Sequence, residues 1–311
     1  MTETQLRIGT RGSPLALAQA EETAARLRAA WPDLAPPEAI EIVVVKTTGD
    51  RIRDRPLAEI GGKALFAKEL EAALLADRID LAVHSLKDLP SLLPDDFALA
   101  AVLPREDPRD TLIRAEGEGG LESLAQGCVI GTCSPRRAAQ LLMLRPDLQI
   151  ATLRGNVETR LAKLKSGDMA ATLLGQAGLN RLGMTLGLPL APEVFLPAAT
   201  QGVIGLEIRS ADRATAKRLA PINDPETWHR SLAERGCLAA LGGSCHTPVA
   251  AFAEVTGERI ELRSLFLLPD GSAPLRRRSS AGLAEAEALG LSVGEALRGD
   301  AGAAHLALLE D

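Results

Sequence analysis

Short apolar runs along the first half of the chain alternate with stretches whose apolar positions recur every three or four residues. QLRIG (5–9), IEIVVV (40–45) and IDLAVH (79–84) are short and rich in aliphatic residues, which predicts strands. Leu17, Ala20, Ala24 and Leu27 recur at helical spacing, as do Phe66, Leu70, Ala73 and Leu74 within KALFAKELEAALL (63–75). Strands alternating with amphipathic helices predict a mainly parallel sheet covered on both faces. IGTRGSP (8–14) and IGTCSP (130–135) echo one another. Each follows a strand, with serine at the N-cap and proline at the first helical position, so each predicts a helix start. Two lobes built on similar plans are the expectation.

Beyond about residue 222 the pattern changes. A helix over 226–241 leads to a Gly-Gly-Ser-Cys loop, and strand-like runs follow at 247–255, 259–268 and 274–280. Turn signals TGE and PDGS separate these runs, which predicts an antiparallel meander, then a helical tail. The segment reads as a third, smaller α+β domain.

Composition narrows the class. The chain has 311 residues, 46% hydrophobic and 24% charged, the profile of a soluble globular protein of more than one domain. A net charge of −6 argues against general affinity for nucleic acid. Its 28 arginines far outnumber its 7 lysines, a bias that a GC-rich genome produces without functional cause. The four cysteines (128, 133, 237, 245) form no CxxC pair, the start MTETQLRIGT has no apolar signal core, and no apolar run reaches membrane-spanning length. The expectation is a cytoplasmic protein with reduced thiols and no metal.

Three stretches carry chemistry. In SPRRAAQLL (134–142), Arg136 and Arg137 fall in the first turn of a helix, where cations oppose the helix dipole unless an anion neutralises them. Arg11 sits at the equivalent turn of the first lobe, Arg154 precedes a helix start at Gly155-Asn156, Arg160 follows within that helix, and Arg181 ends the next strand–helix unit. Guanidinium forks bind carboxylates bidentately, so these residues read as a wall for a ligand with many carboxylates. In VHSLKDLP (83–90), His84, Ser85, Lys87 and Asp88 arrive together at the end of a buried strand, the usual place for a site in α/β folds. Asp88 reads either as a general acid/base or fixed negative charge, or as a loop acid paired with Lys87. In LGGSCHTPVAA (241–251), Cys245 stands at the tip of a glycine loop, open to three readings: a small buried residue, a metal or redox ligand, or a nucleophile that attaches something. Zinc binding by Cys237, Cys245 and His246 lacks a recognised spacing.

RIGTRGSPLALAQ (7–19), TTGD (47–50), GGKALFAKELE (61–71), DLAVHSLKDLP (80–90), REDPRD (105–110), IGTCSPRR (130–137), LRGNVETRL (153–161), AGLNRLG (177–183), QGVIGLE (201–207) and GGSCHTP (242–248) run in one order along nearly the whole chain, its tail excepted. Together they resemble the porphobilinogen deaminases, also called hydroxymethylbilane synthases. The resemblance implies a transferase of tetrapyrrole biosynthesis that condenses four porphobilinogen molecules head to tail, losing ammonia from each, on a covalent dipyrromethane primer. It implies that Cys245 holds the dipyrromethane by a thioether. Lys87, Ser85, Thr132, Ser134, Arg136, Arg137, Arg154 and Gly155 then match cofactor-binding positions. Arg11, Ser13, Arg154, Arg160, Arg181, Lys63 and Phe66 match substrate-binding ones. Asp88 matches the catalytic aspartate, which holds pyrrole N–H groups and stabilises the cationic azafulvene as ammonia leaves. The implied architecture is two periplasmic-binding-protein-like α/β lobes, 1–103 with 203–221 and 104–202, plus a C-terminal α+β domain, 222–311, in a chain that acts as a monomer. Cys133 stands where a serine is usual and Thr200 where a glycine is common. Two competing readings are a two-lobed anion receptor without catalysis and a cysteine hydrolase. Ammonia release discriminates against the first, and a permanent rather than transient adduct against the second.

Overall fold

A computed structural model describes residues 5–46, 67–244 and 246–310. The chain divides into two compact units, 1–106 with 202–228 and 107–201 with 229–311.

The first unit is built on β1 (Leu6–Thr10), α1 (Pro14–Ala30), β2 (Ile40–Val44), α2 (Lys68–Leu75), β3 (Leu81–Ser85) and β4 (Phe97–Val102). β10 (Ile204–Arg209) and α6 (Arg213–Leu219) complete it. The strand order is β2-β1-β3-β10-β4; β1 runs parallel to β2 and β3, and β10 antiparallel to β3 and β4. One sheet face buries Leu6, Ile8, Leu81, Val83, Ile204 and Leu206 against Ala20, Ala24 and Leu27 of α1, the residues that recur at helical spacing. The other face packs Ala82 and Ile79 against Leu70, Ala73 and Leu74 of α2. Gly9 of β1 is part of that fit, because a Cβ there would come within 2.2 Å of the Ile79 side chain.

The second unit repeats the plan with β5 (Asp110–Arg114), β6 (Val129–Gly131), α3 (Pro135–Leu144), β7 (Gln149–Ala151), α4 (Val157–Leu164), β8 (Ala171–Gly175), α5 (Gln176–Arg181) and β9 (Leu188–Pro189). Its order is β7-β6-β8-β5-β9, with β6 parallel to β7 and β8 and β5 antiparallel to β8 and β9. β1 and β6, the two strands of the sequence echo, therefore occupy the same place, at the centre of a parallel trio. The expected α/β architecture of two lobes is present, although each sheet ends in an antiparallel pair.

The same unit carries the antiparallel sheet β11 (Val249–Thr256), β12 (Arg259–Phe266) and β13 (Leu275–Gly282), close to the runs expected from the sequence. α7 (Pro225–Leu241) and α8 (Ala286–Asp300) cover it, and α9 (Ala303–Leu306) lies in the tail. Ala233, Cys237 and Leu241 pack with Ala251, Leu262, Phe266, Val293 and Leu297. α7 and α8 touch through backbone: a Cβ on Gly290 would meet Ala233 O at 2.2 Å, and one on Gly294 would meet Cys237 O at 2.3 Å. The sheet's other face joins α3 through Ala250, Leu265 and Leu267 against Ala139.

Thr200 sits at φ 57, a region that a β-branched residue avoids. The position is held from both sides. Its N–H donates to the buried Glu234 carboxylate, its hydroxyl donates to Ala199 O at 2.7 Å, and the second oxygen of Glu234 accepts the Ala253 N–H at 2.7 Å. Among the described residues, no helix is long and apolar enough to cross a membrane.

Candidate active site

Each unit gathers predicted residues at the carboxyl ends of its parallel strands. In the second unit, Gly131 closes β6 and Thr132, Cys133 and Ser134 form the turn into α3. The Thr132 N–H donates to Ala151 O at 2.9 Å, and its Oγ1 accepts the Ser134 N–H at 3.1 Å. That turn aims Ser134 Oγ at the Arg137 N–H, 3.4 Å away, which is the predicted cap.

Arg136 and Arg137 follow, and both are buried, at 5% and 6% exposure. Arg137 donates from Nε and Nη2 to Asp110 Oδ1 at 2.8 and 2.6 Å and from Nη1 to Leu173 O at 2.9 Å. Arg136 Nη2 pairs with Asp110 Oδ2 at 2.8 Å, its Nη1 donates to Leu196 O at 2.6 Å, and its guanidinium lies 5.8 Å from the Phe195 ring centre. Burial pulls the Arg136 pKa down, while Asp110 acts to raise it. The sequence asks for an anion at this helix start, and the protein supplies one itself, from β5. Two cations still face a single carboxylate.

After β7 the chain turns at Gly155, where φ is 121 and a Cβ would sit 2.7 Å from the Thr159 side chain. Asn156 Oδ1 caps α4 by accepting the Thr159 N–H at 2.9 Å. Arg154 Nη1 is buried and, among the described residues, has no hydrogen-bond partner. Arg160 Nε donates to Gly155 O at 2.9 Å, and its Nη2 reaches Cys133 Sγ at 3.8 Å, so α4 reaches the turn after β6. Arg181, half-buried, ends α5.

In the first unit, Ser13 caps α1 by accepting the Ala16 N–H at 3.3 Å, and Arg11 lies half-buried in the turn before it. Beside them β3 ends in a short 3-10 turn, Leu86–Asp88. Leu86 is fully buried and its N–H donates to Val203 O at 2.9 Å, which leaves Lys87 and Asp88 exposed at the strand's end. Gln19 of α1, itself buried, donates from Nε2 to Ser85 Oγ at 2.9 Å and so ties α1 to the end of β3. Behind the turn His84 Nε2 lies 3.0 Å from Glu207 Oε2 on β10, both buried. Glu71 of α2 is raised above its ordinary pKa by burial and then by the charge of Glu207.

Cys245, Lys63, Phe66 and the TTGD stretch lie outside the described residues. On either side of Cys245, Ser244 N–H donates to Thr247 Oγ1 at 3.0 Å and His246 N–H to Ser244 Oγ at 3.2 Å. Burial pushes the Cys237 thiol up to about 12, which disfavours the thiolate that a nucleophile requires. Among the described residues no group of three or more His, Cys, Asp or Glu side chains is placed to hold a metal ion. Sequence reasoning missed Asp110 and Gln19. REDPRD offered a signal for Asp110, an acid opening a strand beyond a proline; Gln19 had none beyond its place in a motif.

Residues 6–217 match the family described as "Porphobilinogen deaminase, dipyromethane cofactor binding domain", and residues 228–299 match "Porphobilinogen deaminase, C-terminal domain". The porphobilinogen deaminase of Paracoccus denitrificans is 50% identical over 298 residues, which is 95% of this chain and 94% of that protein. That of Nitrobacter winogradskyi is 48% identical over 303 residues, 97% and 95% of the two chains. The chloroplastic rice protein is 49% identical over 270 residues, 86% and 75% of the two chains. Among solved structures, the periplasmic VFT2 domain of Bordetella pertussis BvgS aligns over 70% of this chain and 85% of its own, with a TM-score of 0.38 and 14% identity; a likeness of that size carries no argument.

Proposed function

We propose that a chain which belongs to the porphobilinogen deaminase family, as this one does, performs the family's reaction with Asp88 at the reacting centre and the arginines of the second lobe as carboxylate receptor. The reaction is a transfer: four porphobilinogen molecules join head to tail, ammonia leaves each, and water releases hydroxymethylbilane. The cofactor is dipyrromethane, which supplies, when bound, the two pyrrole rings that prime the product chain.

The donor set fits such a group. Every pyrrole carries an acetate and a propionate, and among the described residues the second lobe offers a surplus of cation: Arg136 and Arg137 share one carboxylate, and Arg154 has a buried Nη1 with no hydrogen-bond partner. That surplus carries the reading. Cys245 holds the cofactor by a thioether, and Lys87, Ser85, Thr132, Ser134, Arg136, Arg137, Arg154 and Gly155 bind it. Arg11, Ser13, Lys63, Phe66, Arg154, Arg160 and Arg181 receive substrate. Asp88 stands exposed on a pinned turn, suited to accept pyrrole N–H hydrogen bonds and to hold the positive charge that develops as ammonia leaves. Cys133, where a serine is usual, presents sulfur rather than oxygen to Arg160, which weakens that contact.

Three functional domains are proposed on this reading: 1–103 with 203–221, 104–202, and 222–311. The protein acts as a cytoplasmic monomer without nucleic acid, the last point supported by its net charge of −6.

The test is the intact mass of freshly purified, denatured protein. An excess of one dipyrromethane is expected on the tryptic peptide 236–259, which holds both Cys237 and Cys245; fragmentation is expected to place it on Cys245. Failure to gain that mass even after incubation with porphobilinogen would reject the assignment. Asp88→Asn is expected to keep the adduct and lose turnover by about 100-fold or more; normal turnover would remove Asp88 from the reacting centre.

A further inference from the structure

Asp110 closes the REDPRD stretch and opens β5. Its main chain is fixed on both sides, by pairing opposite Gly175 of β8 and by the Leu190 N–H, which donates to its carbonyl at 2.8 Å. The side chain has no exposure and also accepts from Gln201 Nε2 at 3.2 Å, while the same Gln201 nitrogen donates to Pro108 O at 2.7 Å. An anion so firmly held is a template for whatever pairs with it.

Two guanidinium groups do so. Arginine keeps its charge throughout the pH range of a folded protein, so Arg136 and Arg137 bring two positive charges to one negative. Among the described residues, the charges that bear on Arg136 are those of Asp110 and, with opposite sign, Arg137. The amino end of α3 adds partial positive charge. Among the described residues the trio of Asp110, Arg136 and Arg137 keeps about one unit of positive charge, and donors are left with it. Of five N–H groups on each arginine, the hydrogen bonds above engage three on Arg137 and one on Arg136, whose Nη2 also forms the ion pair with Asp110.

We propose that Asp110 is a positioning residue for the cofactor-binding arginines: it aligns both guanidinium groups and lowers their joint charge from two to one, so that the head of α3 accepts one further carboxylate. This rests on the reading that Arg136 and Arg137 receive carboxylates of the dipyrromethane. Without Asp110 the two cations repel one another and lose their common alignment. With it, the first turn of α3 is a preorganised receptor with a single vacancy of charge.

The experiment follows adduct formation by intact mass when full-length apoprotein meets porphobilinogen, in wild type, Asp110→Asn, Arg136→Lys and Arg137→Lys. Circular dichroism sets the folded fraction of each at the assay temperature. Asp110→Asn is expected to load at least tenfold more slowly per folded molecule, chiefly through a higher half-saturating porphobilinogen concentration. An Asp110 that serves only the fold would lower Tm and leave loading per folded molecule unchanged, and that outcome overturns the proposal. If both lysine variants load at the wild-type rate, the arginines are not the receptor, and the reading beneath the proposal fails with it. If they load slowly while Asp110→Asn loads normally, only the proposal fails. Should Asp110→Asn not fold, the Nε–H resonance of Arg137 in the wild-type chain decides. Slow solvent exchange, before and after loading, is expected; rapid exchange in the folded apoprotein would show that Asp110 does not hold the group.

Discussion

The two lobes share a strand order and handle buried charge in opposite ways. The first gathers two carboxylates, the half-buried Glu71 and the buried Glu207, around one imidazole, His84. The second buries two guanidinium groups around one carboxylate, Asp110. Crowded carboxylates have a way out, because one of them takes a proton, and the raised pKa of Glu71 moves in that direction. Arginine has none, since it does not give up its proton in a folded protein. A raised carboxylate pKa eases a surplus of acid within the lobe, whereas a surplus of arginine stays positive until a ligand arrives. Similar backbones can thus differ in readiness for an anion through the chemistry of a few buried side chains.

The largest expected effect tests the arginine side of this contrast. Arg137→Leu breaks a buried ion pair and is expected to cost about 3–5 kcal/mol of stability. Arg11→Leu, at the matching turn of the first lobe, is half-buried and is expected to cost less than about 1 kcal/mol. Denaturant titrations of the two variants measure the gap, and equal losses would erase the contrast.

The acid side is read by pH. Glu71 is raised in the folded chain from its ordinary value of 4.5, so its ionisation favours the unfolded state. Stability is lost as pH climbs through 4.5 and on through the raised value. Glu71→Gln removes that loss. The Tm of the variant minus that of wild type is therefore expected to grow from pH 4 to pH 8, and a flat difference would show that Glu71 ionises in the fold as it does in water.

Smaller effects ask how alike the two helix starts are. Ser13→Ala and Ser134→Ala each remove an N-cap and are expected to cost about 1 kcal/mol apiece. A loss confined to one of them would mean that tertiary contacts hold that helix start without the cap. Cys133→Ser, which replaces a sulfur 3.8 Å from Arg160 with oxygen, is expected to change stability by less than about 0.5 kcal/mol. Its effect is better sought in resistance of activity to thiol reagents in the loaded enzyme.

The strands, the helical faces and both serine caps were legible in the chain because their causes lie within a few residues. Periodicity decides which face of α1 is buried, and a cap acts over three residues. The echo of IGTRGSP and IGTCSP announced two lobes for the same reason. Motifs in register likewise marked Asp88, Cys245 and the arginines as the residues to examine. Sequence alone could say that Arg136 and Arg137 need an anion, since the dipole argument is local. It could not say that the nearest one is Asp110, which lies 27 residues from Arg137 and reaches it only because β5 enters the sheet beside β8. Nor could it join Gln19 to Ser85 across 66 residues, or pair His84 with Glu207 across 123. Helix, strand and cap follow from short-range geometry; burial and the partners of buried charges follow from which strands lie side by side, and only the folded chain decides that.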